Sequence, residues 1–392
     1  MLFSSPIWLK LVHLHTRVPS MDLDSHIIGH QHQHRHMETD SVILPGLPDE
    51  VSMLCLARLP LGLHPLASCV SRSWRYALKL PLLYDLRTRL GLQEHHVFVW
   101  APAKLGLLSR KCTQFYLIDP LLLKCQPLPP PPLLRGYPHG FHCDVVALGR
   151  QVSITRIRSG RLWESPQEIF CFDVVSRLWC TPPPSMLESR TWFASASVDG
   201  FVYAAGGGTG RDFENLKSVE RFDLVRKKWE RIADMKKTRY MAAGIALKGS
   251  FCVLGGCQLT HEGTYIMHDS AEIWDPLTEE WQLIPDMWPN DMWKVAVVKG
   301  KLYGLRYWHT KEVMWFDEKS NRWQWLGGIT ENLKGEIEND LIGVGDELWI
   351  LVKDAHRKCS LFATDPERLP LCWRILPFSF DNYPSNVCVV TL

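Results

Sequence analysis

Three groups of residues have types and spacings that could support chemistry. The run AAGGGTG at 204–210 has the outline of a phosphate loop, in which backbone N–H groups cradle an anion. No Gly-Lys-Ser/Thr follows it, and the next residues read as a hairpin loop instead of a helix. His26, His30, His32, His34 and His36 alternate in a polar stretch, a pattern that can hold a transition metal weakly. That stretch, residues 1–40, has no hydrophobic period and reads as a disordered tail. The third group is the twelve cysteines. None forms a C-x-x-C pair, so zinc-ribbon and zinc-finger spacings are excluded, and Cys69, Cys171, Cys252 and Cys388 sit in apolar runs as small hydrophobes. No H-E-x-x-H or G-x-S-x-G occurs, and His142, His261, His268, His309 and His356 share no register that would converge on a metal. The expectation is a chain with no catalytic residues, no metal and no cofactor.

Among the positioning elements, a tryptophan repeat is the strongest signal. The chain has 17 Trp, and four of them follow an Asp by six residues: Asp173 and Trp179, Asp223 and Trp229, Asp275 and Trp281, Asp317 and Trp323. Successive tryptophans are 50, 52 and 42 residues apart. Two eroded copies flank them, with Cys125 in the Trp place after Asp119, and Trp373 displaced by two residues after Asp365. Around each pair the same order recurs. A short apolar strand ends in small residues (FVYAAGGG at 201–208, FCVLGG at 251–256), a polar loop follows, and a strand runs up to the Asp (SVERFD, SAEIWD, EVMWFD). A turn then leads to the Trp strand (KKWERI, EEWQLI, NRWQWL). Runs of this length, rich in Val, Ile, Phe, Tyr and Trp, are strands, four to a copy. Four-stranded units with a period of 40–50 residues are the blades of a β-propeller.

The Gly-Gly pair, the aromatic-Asp pair and the following Trp resemble the kelch repeat. The likeness is best at 190–236 (Gly206, Gly207, Phe222, Trp229) and 239–288 (Gly255, Gly256, Trp274, Trp281). It is partial at 142–187, which lacks the double glycine, and at 294–329, which has Gly304 alone. The first copy starts at HHVFVW (95–100), the second strand of later copies, and NVCVVTL at 386–392 is left to supply its missing strand. The expected fold is therefore mainly β: a six-bladed kelch-type β-propeller over residues 95–392, closed by the C-terminal strand 386–392. The proline run PLPPPPL at 127–133 fits a turn leaving the first blade, since CTPPPSM at 180–186 holds the same place after a later one.

Residues 41–92 differ in kind. LPGLPDEVSMLCLARLP puts Asp49 at a helix start after Pro48, and Val51, Leu54 and Cys55 make an apolar face. Beyond the prolines at 60–65, Leu66, Cys69, Val70, Trp74, Ala77 and Leu78 continue with helical spacing. Fifty residues are few for an independent core, so completion by a partner is expected. LPGLPDEV, CLARLP and LASCVSRSWRYAL resemble the F-box. That resemblance implies binding of the Skp-type adaptor of cullin–RING ubiquitin ligases through Leu47, Pro48, Val51, Leu54 and Leu59.

An F-box followed by a kelch propeller resembles the plant F-box/kelch-repeat proteins. The resemblance implies a non-enzymatic substrate receptor of an SCF-type ubiquitin ligase, which holds a target protein by its propeller for ubiquitination and degradation. The alternative is a kelch scaffold acting without ubiquitin transfer. Candidate target contacts are the residues just before each blade's first strand, expected to be exposed: Arg190, Trp192, Arg239, Tyr240, Asp291, Trp293 and Tyr383. Trp192 and Trp293 are equally suited to packing between blades. A net charge of +2 gives no basic excess for nucleic acid, and no apolar window is long enough for a bilayer. The expected setting is the cytoplasm, the nucleus or both, and the target is not legible.

Overall fold

The computed structural model describes residues 42–101, 114–131, 142–157, 168–209, 214–260, 262–289, 292–306, 312–329, 336–353, 358–380, 384 and 386–392. The tail expected over 1–40, with its histidines, lies outside them. The turn Asp317–Arg322 aside, the chain divides between Leu92 and Gln93 into two compact units.

The first unit is helical. Its first helix, Asp49–Ala57, begins directly after Pro48 with Asp49 and Glu50 in the first turn, where carboxylates favour the helix dipole. Ser52, Met53, Leu56 and Ala57 are its buried side. That helix packs on the last one, Pro81–Arg89, whose Leu83 and Tyr84 are buried. Arg87 of the last helix is also buried; it donates to the carbonyls of Ala57 (2.8 Å), Leu59 (2.6 Å) and Leu92 (2.8 Å). One guanidinium thus satisfies acceptors at or just beyond the C-terminal ends of two helices. The helical spacing expected to run on from Leu66 to Leu78 is broken into His64–Ala67 and Arg72–Ala77. Ser71 interrupts it by capping the second of these, its hydroxyl accepting the Trp74 N–H at 3.0 Å.

The second unit is a six-bladed propeller, each blade a four-stranded antiparallel sheet. Blade 1 consists of β1 (His95–Ala101), β2 (Gln114–Asp119), β3 (Lys124–Leu128) and the chain-terminal β26 (Asn386–Thr391). Blade 2 holds β4 (His142–Leu148), β5 (Gln151–Ile157), β6 (Glu168–Asp173) and β7 (Leu178–Cys180). Blade 3 holds β8 (Ala194–Val198), β9 (Phe201–Ala205), β10 (Val219–Asp223) and β11 (Lys228–Ile232). In blade 4, β12 (Ala243–Leu247), β13 (Ser250–Leu254), β16 (Ala271–Asp275) and β17 (Glu280–Ile284) form the sheet. Between its second and third strands rises a separate ribbon, β14 (Cys257–Leu259) and β15 (Tyr265–Met267). Blade 5 is β18 (Met292–Val298), β19 (Lys301–Arg306), β20 (Glu312–Asp317) and β21 (Arg322–Gly328). Blade 6 is β22 (Glu336–Val344), β23 (Glu347–Lys353), β24 (Cys359–Thr364) and β25 (Arg374–Phe380).

Neighbouring blades meet through their first strands, and the contacts run in a ring from β26 through β4, β8, β12, β18 and β22 back to β26. Residues of all six strands, mostly Val, Ile, Ala and Gly, line an axial channel of about 500 Å³. The seam is made within blade 1, where β26 pairs antiparallel with β1, Val389 opposite Val97. Glu94 and Leu392 exchange both backbone hydrogen bonds, at 2.7 and 2.9 Å.

Blades adhere through the repeated aromatic residues. The residue before each Asp stands directly across from the Trp: Phe172 opposite Trp179, Phe222 opposite Trp229, Trp274 opposite Trp281. Ring centroids lie 5.2–5.5 Å apart in these pairs and in Phe316–Trp323, a favourable aromatic separation. Each indole N–H then reaches back to the preceding blade's exit. Trp179 donates to Pro129 (2.8 Å), Trp229 to Pro184 (2.9 Å), Trp281 to Ala233 (2.8 Å) and Trp323 to Met287 (2.7 Å). The Asp shapes the hairpin between, one carboxylate oxygen accepting the N–H groups two and three residues on, as Asp223 does from Val225 (2.8 Å) and Arg226 (2.9 Å). Each Asp-to-Trp spacing therefore encodes one hairpin whose far strand delivers a wedge to its neighbour.

Candidate docking surfaces for an adaptor and a target

In the helical unit, burial of Ser52, Met53, Leu56 and Ala57 turns the opposite side of the first helix outward. Val51 is 40% exposed and Leu47, just ahead of the helix, 41%. Pro48 is exposed, while Leu54 and Leu59 are half-buried. Further apolar side chains stand in solvent on the next elements, with Leu66 at 69% and Val70 at 64%. Leu66 and Val70, which the sequence shows only as part of a helical spacing, thus carry the same signal as Leu47 and Val51. An apolar surface on so small a unit marks a protein-binding site.

In the propeller the expected contact residues separate into three groups. Arg190 and Arg239, expected at the surface, are each 0% exposed. Arg239 Nε donates to Glu272 Oε1 at 3.0 Å, and its Nη1 to the carbonyls of Gly255 (2.6 Å) and Ser270 (2.8 Å). Arg190 does the same one blade earlier: Nη2 to Glu220 Oε1 at 2.7 Å, and Nη1 to the carbonyls of Gly206 (3.0 Å) and Ser218 (2.9 Å). The carboxylates have further work. Glu220 accepts the N–H groups of Leu187 (2.6 Å) and Glu188 (2.9 Å), and Glu272 those of Lys236 (2.6 Å) and Lys237 (3.1 Å). Each ion pair ties the segment entering a blade to the first glycine of its pair and to its third strand. Burial pushes the Arg239 guanidinium below its usual value, and the Glu272 carboxylate pulls it back up.

The glycines follow from this network. Gly206 and Gly255 adopt φ of +66° and +61°, and a Cβ would collide with the Arg239 carbonyl at the first and the Trp288 indole at the second. Sequence reasoning missed Glu220 and Glu272, although Ser-x-Glu recurs at 218–220 and 270–272, as does an Arg before an aromatic residue at 190–192 and 239–240.

Trp192 and Tyr240 form the second group. Both are half-buried, and their rings lie 6.3 Å apart across the entries of blades 3 and 4. Trp192 has φ of 57°, an unusual backbone for a bulky side chain, and its carbonyl accepts the Met241 N–H at 2.9 Å. The β14–β15 ribbon rises at the same end of the strands, because Ala243 at the start of β12 pairs with Leu254 at the end of β13. Asn215 clasps the ribbon, its amide donating to the Leu259 carbonyl (2.6 Å) and accepting the Leu259 N–H (2.9 Å). Tyr265, Ile266 and Met267 of the ribbon are 54–56% exposed. In the sequence this segment has only the character of a polar loop. The third group has less to show: Trp293 lies in β18, where the pairing with β19 shifts register between Met292 and Lys294, and Asp291 and Tyr383 lie outside the described residues.

Comparison with known proteins agrees with both units. The F-box domain family matches residues 44–86, and the Kelch motif family matches residues 190–236, the blade with the Arg190–Glu220 pair. The chain is 27% identical to the F-box/kelch-repeat protein At1g16250 of Arabidopsis thaliana, over 73% of this chain and 75% of the relative. It is 26% identical to the Arabidopsis F-box/kelch-repeat protein SKIP30 (80% and 84% covered) and 24% identical to SKIP4 (85% and 87%). An F-box ahead of a kelch propeller defines a class of interaction protein that joins an adaptor-docking module to a binding ring. The chain is a plant-type F-box/kelch-repeat protein. Members of that class are typically adaptors or receptors. Among the described residues no helix is long and apolar enough to cross a membrane.

Proposed function

We propose that this protein is the substrate receptor of an SCF-type ubiquitin ligase, acting in the cytoplasm or nucleus. The observation that carries this reading is the apolar surface left open on the helical unit, where Leu47, Pro48 and Val51 face solvent, and Leu54 and Leu59 are half-exposed behind them. A Skp-type adaptor covers that surface and links the chain to a cullin. The propeller holds a target protein at the end of the ring carrying Trp192, Tyr240 and the β14–β15 ribbon. Asp291 and Tyr383 belong to the same contact set by their place ahead of β18 and β26, and Trp293 by its place at the start of β18. Arg190 and Arg239 support it from below, by fixing the backbone that presents Trp192 and Tyr240. Transfer of ubiquitin is then a matter of proximity, so the receptor itself needs no acid, base or nucleophile.

Val51→Asp tests the adaptor half. Val51 is exposed, so the charge costs the free protein little, but it is desolvated against an apolar partner. Titrating purified full-length chain with recombinant Skp-type adaptor is expected to show at least about tenfold weaker binding for the variant, which corresponds to about 1.4 kcal/mol. Equal affinity of both proteins, or no binding by the wild type, contradicts the assignment.

A further inference from the structure

Blade 2 contains a feature that neither the adaptor nor the target surface uses. Cys171 of β6 and Cys180 of β7 are directly opposed partners across an antiparallel ladder. Both are free thiols. Directly opposed residues in such a ladder have Cα atoms about 4.5–5.5 Å apart, within the span of about 4.4–6.8 Å that a disulfide bridges. The two side chains point to the same face of the sheet, opposite to Phe172 and Trp179 between them. Their exposures differ. Cys171 is buried at 1%, whereas Cys180 is half-buried at the strand end, next to the exposed Thr181 and Pro182. β7 is also short, three residues against five in β3, β11 and β17, so few ladder bonds hold it.

We propose that Cys171 and Cys180 are a reversible oxidation site, forming a cross-strand disulfide in the presence of a peroxide. Cys180, the accessible thiol, reacts first. Its sulfur attacks one peroxide oxygen, the O–O bond breaks, and water leaves, giving a sulfenic acid on Cys180. The Cys171 sulfur then attacks the Cys180 sulfur. The S–S bond forms, the S–O bond breaks, and the hydroxyl departs as a second water with the Cys171 proton. Two thiols are oxidised by two electrons in all, and one peroxide is reduced to two waters. Burial and the Cys180 neighbour push the Cys171 thiol up, so it is unreactive toward oxidant by itself and acts only through its fixed place beside Cys180. The bond staples β7 to β6 where the ladder is shortest. Trp179, the residue before Cys180, carries the indole bonded to Pro129 of the preceding blade, so the staple fixes one inter-blade wedge.

The test is peptide mapping of the intact full-length protein after exposure to hydrogen peroxide and alkylation of remaining thiols. The expected result is a peptide pair joined through Cys171 and Cys180, lighter by two hydrogens and released by dithiothreitol. Cys171→Ser removes the resolving thiol, so in that variant a sulfenic-acid trap such as dimedone is expected on Cys180, with little trapping there in the wild type. Full alkylation of both cysteines after oxidation overturns the proposal, as does Cys180 bonded to a different cysteine. If the Cys171→Ser chain does not fold, the wild-type map alone decides.

Discussion

Arg239 brings a full charge to a position with no solvent exposure, and Glu272, also 0% exposed, matches it. A buried pair of this kind is weak evidence for net stability, because desolvating two ions offsets most of their attraction. Its value here is positional. Four acceptor or donor groups of the backbone, the carbonyls of Gly255 and Ser270 and the N–H groups of Lys236 and Lys237, find partners in the pair. Removing one member also leaves the other buried without its counter-ion. Arg239→Met leaves Glu272 charged and buried alone, and is expected to cost about 3–5 kcal/mol. Adding Glu272→Leu to that variant is expected to cost less than Glu272→Leu costs alone, a coupling energy of about 1–3 kcal/mol in a double-mutant cycle measured by urea unfolding. Additive single effects contradict the network. Both residue types were visible in the chain, yet their pairing was not. An Arg before an aromatic residue looks like a surface anchor until the third strand supplies a carboxylate thirty or more residues later.

At the scale of the element, the hairpin between the third and fourth strands was the most legible part of the molecule. Asp must accept the turn's N–H groups and Trp must cross to the next blade, so both types recur at fixed spacing, and four copies were enough to give the architecture. Other elements left weaker traces. Among the described residues the β14–β15 ribbon has no counterpart in another blade, so periodicity had no purchase on it. In the helical unit, the run from Leu66 to Leu78 has helical spacing throughout, yet it is broken ahead of Ser71, whose hydroxyl caps the second of two helices, and Leu66 and Val70 are exposed. The wedge itself can be weighed by substitution. Trp281→Phe keeps an aromatic ring against Trp274 but strips the Ala233 carbonyl of its donor, a loss of about 1–3 kcal/mol. Trp325 is 62% exposed, and Trp325→Phe is expected to stay within about 0.5 kcal/mol of wild type. Thermal or urea unfolding of the two variants separates a tryptophan that joins blades from one that does not.

Over the whole molecule, two units divide the work. The ring has its seam in blade 1, where the last strand of the chain pairs with β1, and its buried clusters lie between blades, one of them spanning blades 6 and 1 through Val97, Trp349 and Phe380. Such a ring is a rigid frame for variable entries and a ribbon, which suits recognition rather than turnover. The helical unit buries Met53, Leu56 and Leu83 but leaves Leu47, Val51, Leu66 and Val70 to water, which suits a partner's surface. The central claim is that these two surfaces join a target to a cullin ligase, and affinity purification of the tagged full-length chain from cells tests it most directly. The wild type is predicted to bring down a Skp-type adaptor and a cullin together with further proteins held by the propeller. Val51→Asp is predicted to lose the adaptor and cullin while retaining those further proteins. A wild-type chain recovered with propeller partners but without adaptor or cullin would contradict the account and leave a binding ring that acts without ubiquitin transfer.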